Sequence, residues 1–246
     1  MKTSLLALCV PLFVVLLVYP AYALSVPERL VYDVSWSGIK AGTAVYEVTA
    51  QGVDLRIVYT VRSAGWLAPI FFVDDKTESV LSRGSGMNPL GIQKLYREKI
   101  NEGKTHSLKE AQFDLTMLKV YTKDFLAKTE KSDPISDRTF DNLSCIYVIR
   151  SSELMPGKSI FIDIYDCKSL WHAEVRAVRR EEIRTPQGRF KTLMVKTLLK
   201  SGVVSTRTGD VTIWLTDDSR RIPVRMTTKL KVGEITATLV GGSYWP

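Results

Sequence analysis

The sequence predicts a mainly β protein: a single curled antiparallel sheet, or an open β-barrel, wrapping one long apolar helix. Three observations carry this expectation. Apolar and polar residues alternate through consecutive segments at both ends of the chain, the period of a strand with one wet face. One internal stretch instead repeats its apolar residues at helical spacing. The 246 residues contain no long linker or low-complexity tract, and all-β barrels and sandwiches commonly reach this length as one unit.

The strands come in order. Leu30, Tyr32, Val34 and Trp36 alternate with Val31, Asp33 and Ser35, and the chain then turns through Gly38 to Gly42. Ala44, Tyr46, Val48 and Ala50 form the next apolar face, and Gln51-Gly52 marks a tight hairpin. Val53, Leu55, Ile57, Tyr59 and Val61 follow, completing an antiparallel meander. The pattern returns with Val211, Ile213 and Leu215, a turn at Asp217-Asp218-Ser219, then Ile222, Val224 and Met226. Gly233 separates these from Ile235, Ala237 and Leu239. Between the two ends, strands are expected near 76–82, 92–101, 105–123, 158–165, 170–183 and 189–200, with Thr185-Pro186-Gln187-Gly188 as a hairpin turn. About a dozen strands in one unit favour a barrel or a strongly curled sheet.

The helix is expected over Asp137 to Ser152. Asp137 is placed to cap it, and Phe140, Leu143, Ile146, Tyr147 and Ile149 recur at helical spacing. Cys145 and Val148 widen the apolar face until most of the circumference is apolar. Such a helix is surrounded by protein, here by the concave side of the sheet. A second short helix or turn is expected around Ser63 to Phe72.

Residues 1–23 read as a secretory signal peptide. Lys2 is followed by an apolar run from Leu5 to Tyr19 with Pro11 inside it, and then by Ala21-Tyr22-Ala23, the small-x-small pattern of a cleavage site. Cleavage is expected after Ala23, leaving 24–246 as a single β-rich exported domain. No other stretch approaches the ~18 uninterrupted apolar residues of a membrane span, so no integral membrane protein is expected. Export leaves two cysteines, Cys145 and Cys167. An isolated pair in an oxidising compartment points to a disulfide, with two buried thiols as the alternative. The absence of C-x-x-C argues against a redox centre.

Lys and Arg number 34 against 26 Asp and Glu, a net charge of +8. Arg176, Arg179, Arg180, Arg184, Arg189 and Lys191 concentrate on one expected hairpin. They offer contact with an anionic surface, or a solvated edge in which Glu174, Glu181 and Glu182 are interleaved. Nucleic acid is excluded for an exported chain.

Catalytic and metal signatures are missing. His106 and His172 stand on expected strands without another His, a Cys or an acid cluster at ligand spacing. The sequence contains no G-x-S-x-G, H-E-x-x-H or G-x-x-x-x-G-K-[ST]. Gly84-Ser85-Gly86 is read as a flexible connection, and neighbouring acids such as Asp74-Asp75 point to opposite faces of a strand. No catalytic residue, cofactor or metal is expected. Trp66-Leu67-Ala68-Pro69-Ile70-Phe71-Phe72 is the densest apolar patch outside the leader. It reads as a plug that closes the core, or as a loop that contacts ligand at a barrel mouth. On the second reading Trp66, Phe71 and Phe72, with Tyr147 of the helix, are the ligand-contact candidates.

Leu30 to Gly42, Thr185 to Phe190 and Ile213 to Val224 resemble the bacterial exported family known as domain of unknown function 3108. Asp141-Asn142-Leu143-Ser144-Cys145-Ile146-Tyr147-Val148-Ile149-Arg150 is similar to its helix. The likeness covers roughly Leu30 to Leu239. It implies a periplasmic location and a curled sheet wrapping a helix, a shape similar to periplasmic lipoprotein carriers and sigma-factor regulators. The family brings no activity and no catalytic residue. Three functions are therefore carried forward. The first is a monomeric module that binds a hydrophobic ligand (a lipid or acyl chain) or an envelope protein. The second is a structural protein with a filled barrel, and the third an enzyme built on His172 and scattered acids.

Overall fold

The computed structural model describes residues 24–83, 90–200 and 211–243. The expected signal peptide, residues 1–23, and the Gly84-Ser85-Gly86 connection lie outside the described residues. The N-terminal strands are β1 (Glu28–Trp36), β2 (Ile39–Gln51), β3 (Asp54–Ser63), β4 (Asp74–Ser82), β5 (Ile92–Glu102), β6 (Thr105–Asp114), β7 (Lys119–Asp124) and β8 (Thr129–Pro134). Then come β9 (Thr139–Asp141), α1 (Cys145–Ser151), β10 (Ser159–Tyr165), β11 (Leu170–Thr185), β12 (Gly188–Lys200), β13 (Val211–Thr216), β14 (Pro223–Lys229) and β15 (Glu234–Gly242).

All fifteen strands join one sheet, in the order β8-β7-β6-β5-β4-β3-β2-β1-β15-β14-β13-β12-β11-β10-β9. Sequence neighbours are hydrogen-bonded neighbours except β8 and β9, the two edges, and β1 also pairs antiparallel with β15. The ladder between β9 and β10 is parallel. The edge strands β8 and β9 are consecutive in the chain, with only 135–138 between them. That connection spans at most about 17 Å, so the sheet must curl until its edges meet. Side chains make the closure. Tyr165 of β10 donates its hydroxyl hydrogen to Asp133 of β8 at 2.5 Å and lies 2.8 Å from the Thr122 hydroxyl of β7.

The hairpins at 52–53 and 186–187 and the turn at 217–219 stand where the sequence places them. Three expectations are corrected. The helix is short. Thr139, Phe140 and Asp141 instead run parallel to β10, and all three are buried. The Asp141 carboxylate accepts the Leu143 and Ser144 amides at 2.7 Å each, a turn that delays the helix to Cys145. Asp137 is exposed and caps nothing, for Ser144 occupies the N-cap. The stretch 105–123 is two strands, because the Asp114 carboxylate accepts the Thr116 and Met117 amides and turns the chain.

The third correction concerns the cysteines, which are free thiols rather than a disulfide. Cys145 opens α1 with its Sγ–H donated to the Asn142 carbonyl at 3.1 Å. Cys167 is buried in the β10–β11 turn with φ of 63°. Burial pushes the Cys145 thiol up to about 12 and raises Cys167 as well. Thiolate is the reactive form, so a disulfide-exchange reagent at pH 8 should label neither cysteine quickly in folded protein. Both should react after denaturation without reductant. Loss of that second signal would mean that a bridge exists.

A helix of seven residues does not survive alone in water. Ile146, Tyr147, Val148 and Ile149 are all buried against the sheet, each contributing about 1.5–3 kcal/mol of burial. Buried polar groups fix both helix ends. At the N-terminal end, the Ser79 hydroxyl of β4 donates to Asp141 at 2.5 Å and accepts from Gln93 of β5 at 3.3 Å. The Ser144 hydroxyl donates to Gln93 Oε1 at 2.9 Å. At the C-terminal end, Arg150 makes a bidentate pair with Glu28 of β1, both bonds 2.7 Å long. Arg150 also donates to the Arg220 carbonyl at 3.1 Å. The charged side chains are 5% and 1% exposed. Burial opposes the Arg150 charge, and hydrogen bonding and attraction to Glu28 outweigh it.

Candidate functional site

The antiparallel order places the β1–β2, β3–β4, β5–β6, β7–β8 and β14–β15 connections at one end of the sheet. Large apolar side chains stand exposed on that rim. Trp36 and Ile39 flank the first turn, and Trp66, Ile70, Phe71 and Phe72 occupy the β3–β4 loop. Phe125 and Leu126 lie on β7–β8, and Leu230 and Val232 on β14–β15. Ile70 is 77% and Val232 72% exposed, so water covers them.

The rim is pinned to itself. The Trp36 indole donates to the Val232 carbonyl at 3.1 Å, and the Trp66 indole to the Lys40 carbonyl at 3.0 Å. The Ala64 amide donates to Ala41 at 2.7 Å and Gly103 to Phe72 at 2.8 Å. Gly103 takes φ of +55°, and a Cβ there would stand 3.0 Å from the Phe71 ring. Gly233, at +82°, would meet the Trp36 indole nitrogen at 2.6 Å. With both indole N–H groups satisfied, what these rings present outward is hydrocarbon. Lys104, Lys128, Lys229 and Lys231 are exposed on the same connections.

The four ligand-contact candidates are not brought together. Trp66, Phe71 and Phe72 stand on the rim, whereas Tyr147 is 1% exposed inside the barrel. The plug reading holds only for Leu67, the one buried member of its segment. Tyr147 lines a crevice with Leu30, Tyr32, Tyr46, Ile146, Arg150, Pro223 and Met226, which has no room for a water molecule. The Tyr147 ring packs on the Arg150 guanidinium, 5.0 Å from the ring centre. Its hydroxyl, beside the Arg150–Glu28 pair, makes no well-formed hydrogen bond. Burial pushes its pKa far above the usual phenol range.

Three of the six basic residues of the hairpin pair with acids. Arg179 meets Glu181 at 3.0 Å, Arg180 meets Asp217 at 2.8 Å and Arg189 meets Glu182 at 3.7 Å. Arg176 lies on the same strand, and the Arg184 carbonyl accepts from Arg225 at 2.7 Å. These ion pairs support the solvated-edge reading. His106 lies 3.2 Å from Asn101 Oδ1. His172 Nδ1 lies 2.6 Å from Asp163, to whose other oxygen Ser136 donates at 2.6 Å. The serine is thus hydrogen-bonded to the acid rather than to the imidazole, which is not the arrangement that activates a nucleophile. Among the described residues, no group of three or more His, Cys, Asp or Glu side chains could hold a metal ion.

Sequence reasoning missed a carboxyl pair at the foot of the β3–β4 loop. Asp75 is buried and accepts the Asn101 amide at 2.7 Å. Burial, a hydrogen bond to Asp75 and repulsion from it push Glu102 up to about 7 from an ordinary 4.5. The folded state therefore holds this proton more tightly than the unfolded chain, and its contribution to stability is lost as pH rises from about 4.5 through 7. Glu102→Gln should accordingly gain melting temperature relative to the parent between pH 5 and pH 8. A difference that is flat with pH would refute the shared proton.

A single curled antiparallel sheet, closed by side chains around a short buried helix, defines a β-barrel-like domain. The chain belongs to the DUF3108 family, described as protein of unknown function, whose profile it matches over residues 31–240. Its fold is similar to that of a β-barrel-like protein of domain of unknown function DUF1849 from Brucella abortus, known from a crystal structure. The two share 13% identity with a TM-score of 0.59, over 88% of this chain and 96% of that one. No curated protein matches the chain. Among the described residues, no helix is long and apolar enough to cross a membrane.

Proposed function

We propose that the chain is an exported, periplasmic interaction module of the cell envelope, without catalytic activity, which binds through its strand-end rim. One observation carries this reading: among the described residues α1 is packed tightly inside the sheet, its crevice beside Tyr147 too small for water, while large apolar side chains are left in water at the rim. A monomeric domain cleaved after Ala23 completes the proposal. The runner-up, a carrier that encloses an acyl chain, draws on the crevice beside Tyr147, which would have to open to admit one.

Native mass spectrometry of protein purified from periplasm without detergent, followed by organic extraction, separates the two. Rim binding predicts the mass of residues 24–246 alone. A discrete extractable lipid that survives purification would establish the carrier instead.

A further inference from the structure

We infer that the rim docks on the surface of an anionic lipid bilayer, with its apolar tips entering the interface and its lysines meeting the head groups. This rests on the rim reading above and names its partner. Three features favour a membrane. The exposed apolar residues are spread over four separate connections, β1–β2, β3–β4, β7–β8 and β14–β15, an arrangement of separate tips that suits a yielding interface. The β3–β4 loop exposes Trp66, Phe71 and Phe72, and aromatic rings are favoured where hydrocarbon meets head groups. Lys104, Lys229 and Lys231 flank the tips, and none of them makes an ion pair among the described residues. By contrast, acids occupy several arginines of the β11–β12 hairpin. Basic residues that approach an anionic leaflet gain attraction that falls off within a Debye length.

The hydrogen bonds across the rim give the tips a fixed arrangement before contact, so little ordering remains for docking. Neither Ile70 nor Val232 supports the core, since both lie mostly in water. They can therefore be changed without touching the fold.

The test is flotation with vesicles of phosphatidylethanolamine and phosphatidylglycerol, compared with vesicles of phosphatidylcholine alone. The anionic vesicles should carry the protein, and added salt should release it. Brominated acyl chains should quench the indoles of Trp36 and Trp66. Ile70→Glu with Val232→Glu, and separately Lys104→Glu with Lys231→Glu, should each weaken binding by about tenfold or more. Both variants should keep the circular dichroism of the parent. Should either misfold, bromine quenching of the unaltered protein still decides the matter. Equal binding to neutral vesicles, or no quenching, overturns the inference. A photocrosslinker at position 70 that captures a protein while vesicles stay unbound overturns it too, but leaves the interaction module standing. Extractable lipid inside the purified protein overturns both.

Discussion

Arg150→Met should destabilise the fold by about 3–5 kcal/mol, and adding Glu28→Met should restore most of that loss. The reasoning is asymmetric. Arg150 and Glu28 are out of water, so removing the cation leaves a buried carboxylate facing hydrocarbon and the Tyr147 ring. Removing both charges replaces an expensive pair with apolar volume. Urea unfolding of the two single variants and the double variant closes a mutant cycle. A double variant no more stable than the singles would show that the pair acts through packing or through the Arg220 carbonyl. The Tyr147 hydroxyl gives a second check: Tyr147→Phe removes a polar atom that has no well-formed partner, and should change stability little or raise it.

Asp141→Ala should cost a similar amount, about 3–5 kcal/mol, because it orphans several donors at once. Ser79, Leu143 and Ser144 all donate to this one carboxylate. The same ring of bonds passes through Gln93, so β4, β5 and the start of α1 lose their common anchor. Asp141→Asn keeps an acceptor for the two amides and should cost only about 1–2 kcal/mol. Both variants also differ from the parent in pH dependence. Burial lifts Asp141 to about 6 from 3.8, against the pull of its hydrogen bonds. The folded protein therefore binds this proton more tightly than the unfolded chain, and stability from this site declines as pH rises from about 4 through 6. Asp141→Asn removes that slope. Identical slopes for variant and parent over that window would refute the buried titration.

The sequence displays its strands wherever one face is wet and the other dry, as in β1, β2, β3, β13, β14 and β15. It hides those that break the pattern. In β8, Thr-Glu-Lys-Ser-Asp-Pro carries no apolar face, and Asp133 is held by Lys131 of its own strand and by Tyr165 of β10. In β9 three residues are buried together, so nothing alternates, and Phe140 falls by coincidence in phase with the helix that follows. The turn at Asp114 was readable, since an aspartate that accepts amides two and three residues on is a local device. The Glu28–Arg150 pair was not, because 122 residues separate its members. The rim is an intermediate case. Trp66 to Phe72 stands out as a patch, but its exposure, and its union with Trp36 and Val232, come from strand order alone.

The β1–β15 ladder is a seam with consequences for biogenesis. Every other ladder joins consecutive strands, so β1–β8 and β9–β15 can each assemble as local hairpins soon after synthesis. Joining the two half-sheets requires β15 to lie against β1, a pairing of strands far apart in sequence. The Ser243 amide, donating to the Arg29 carbonyl at 2.9 Å, is among the final stitches. Until the seam forms, β1 and β15 each expose an unpaired, partly apolar edge open to aggregation or to a chaperone. A chain truncated before Glu234 would keep its hairpins and lose the seam.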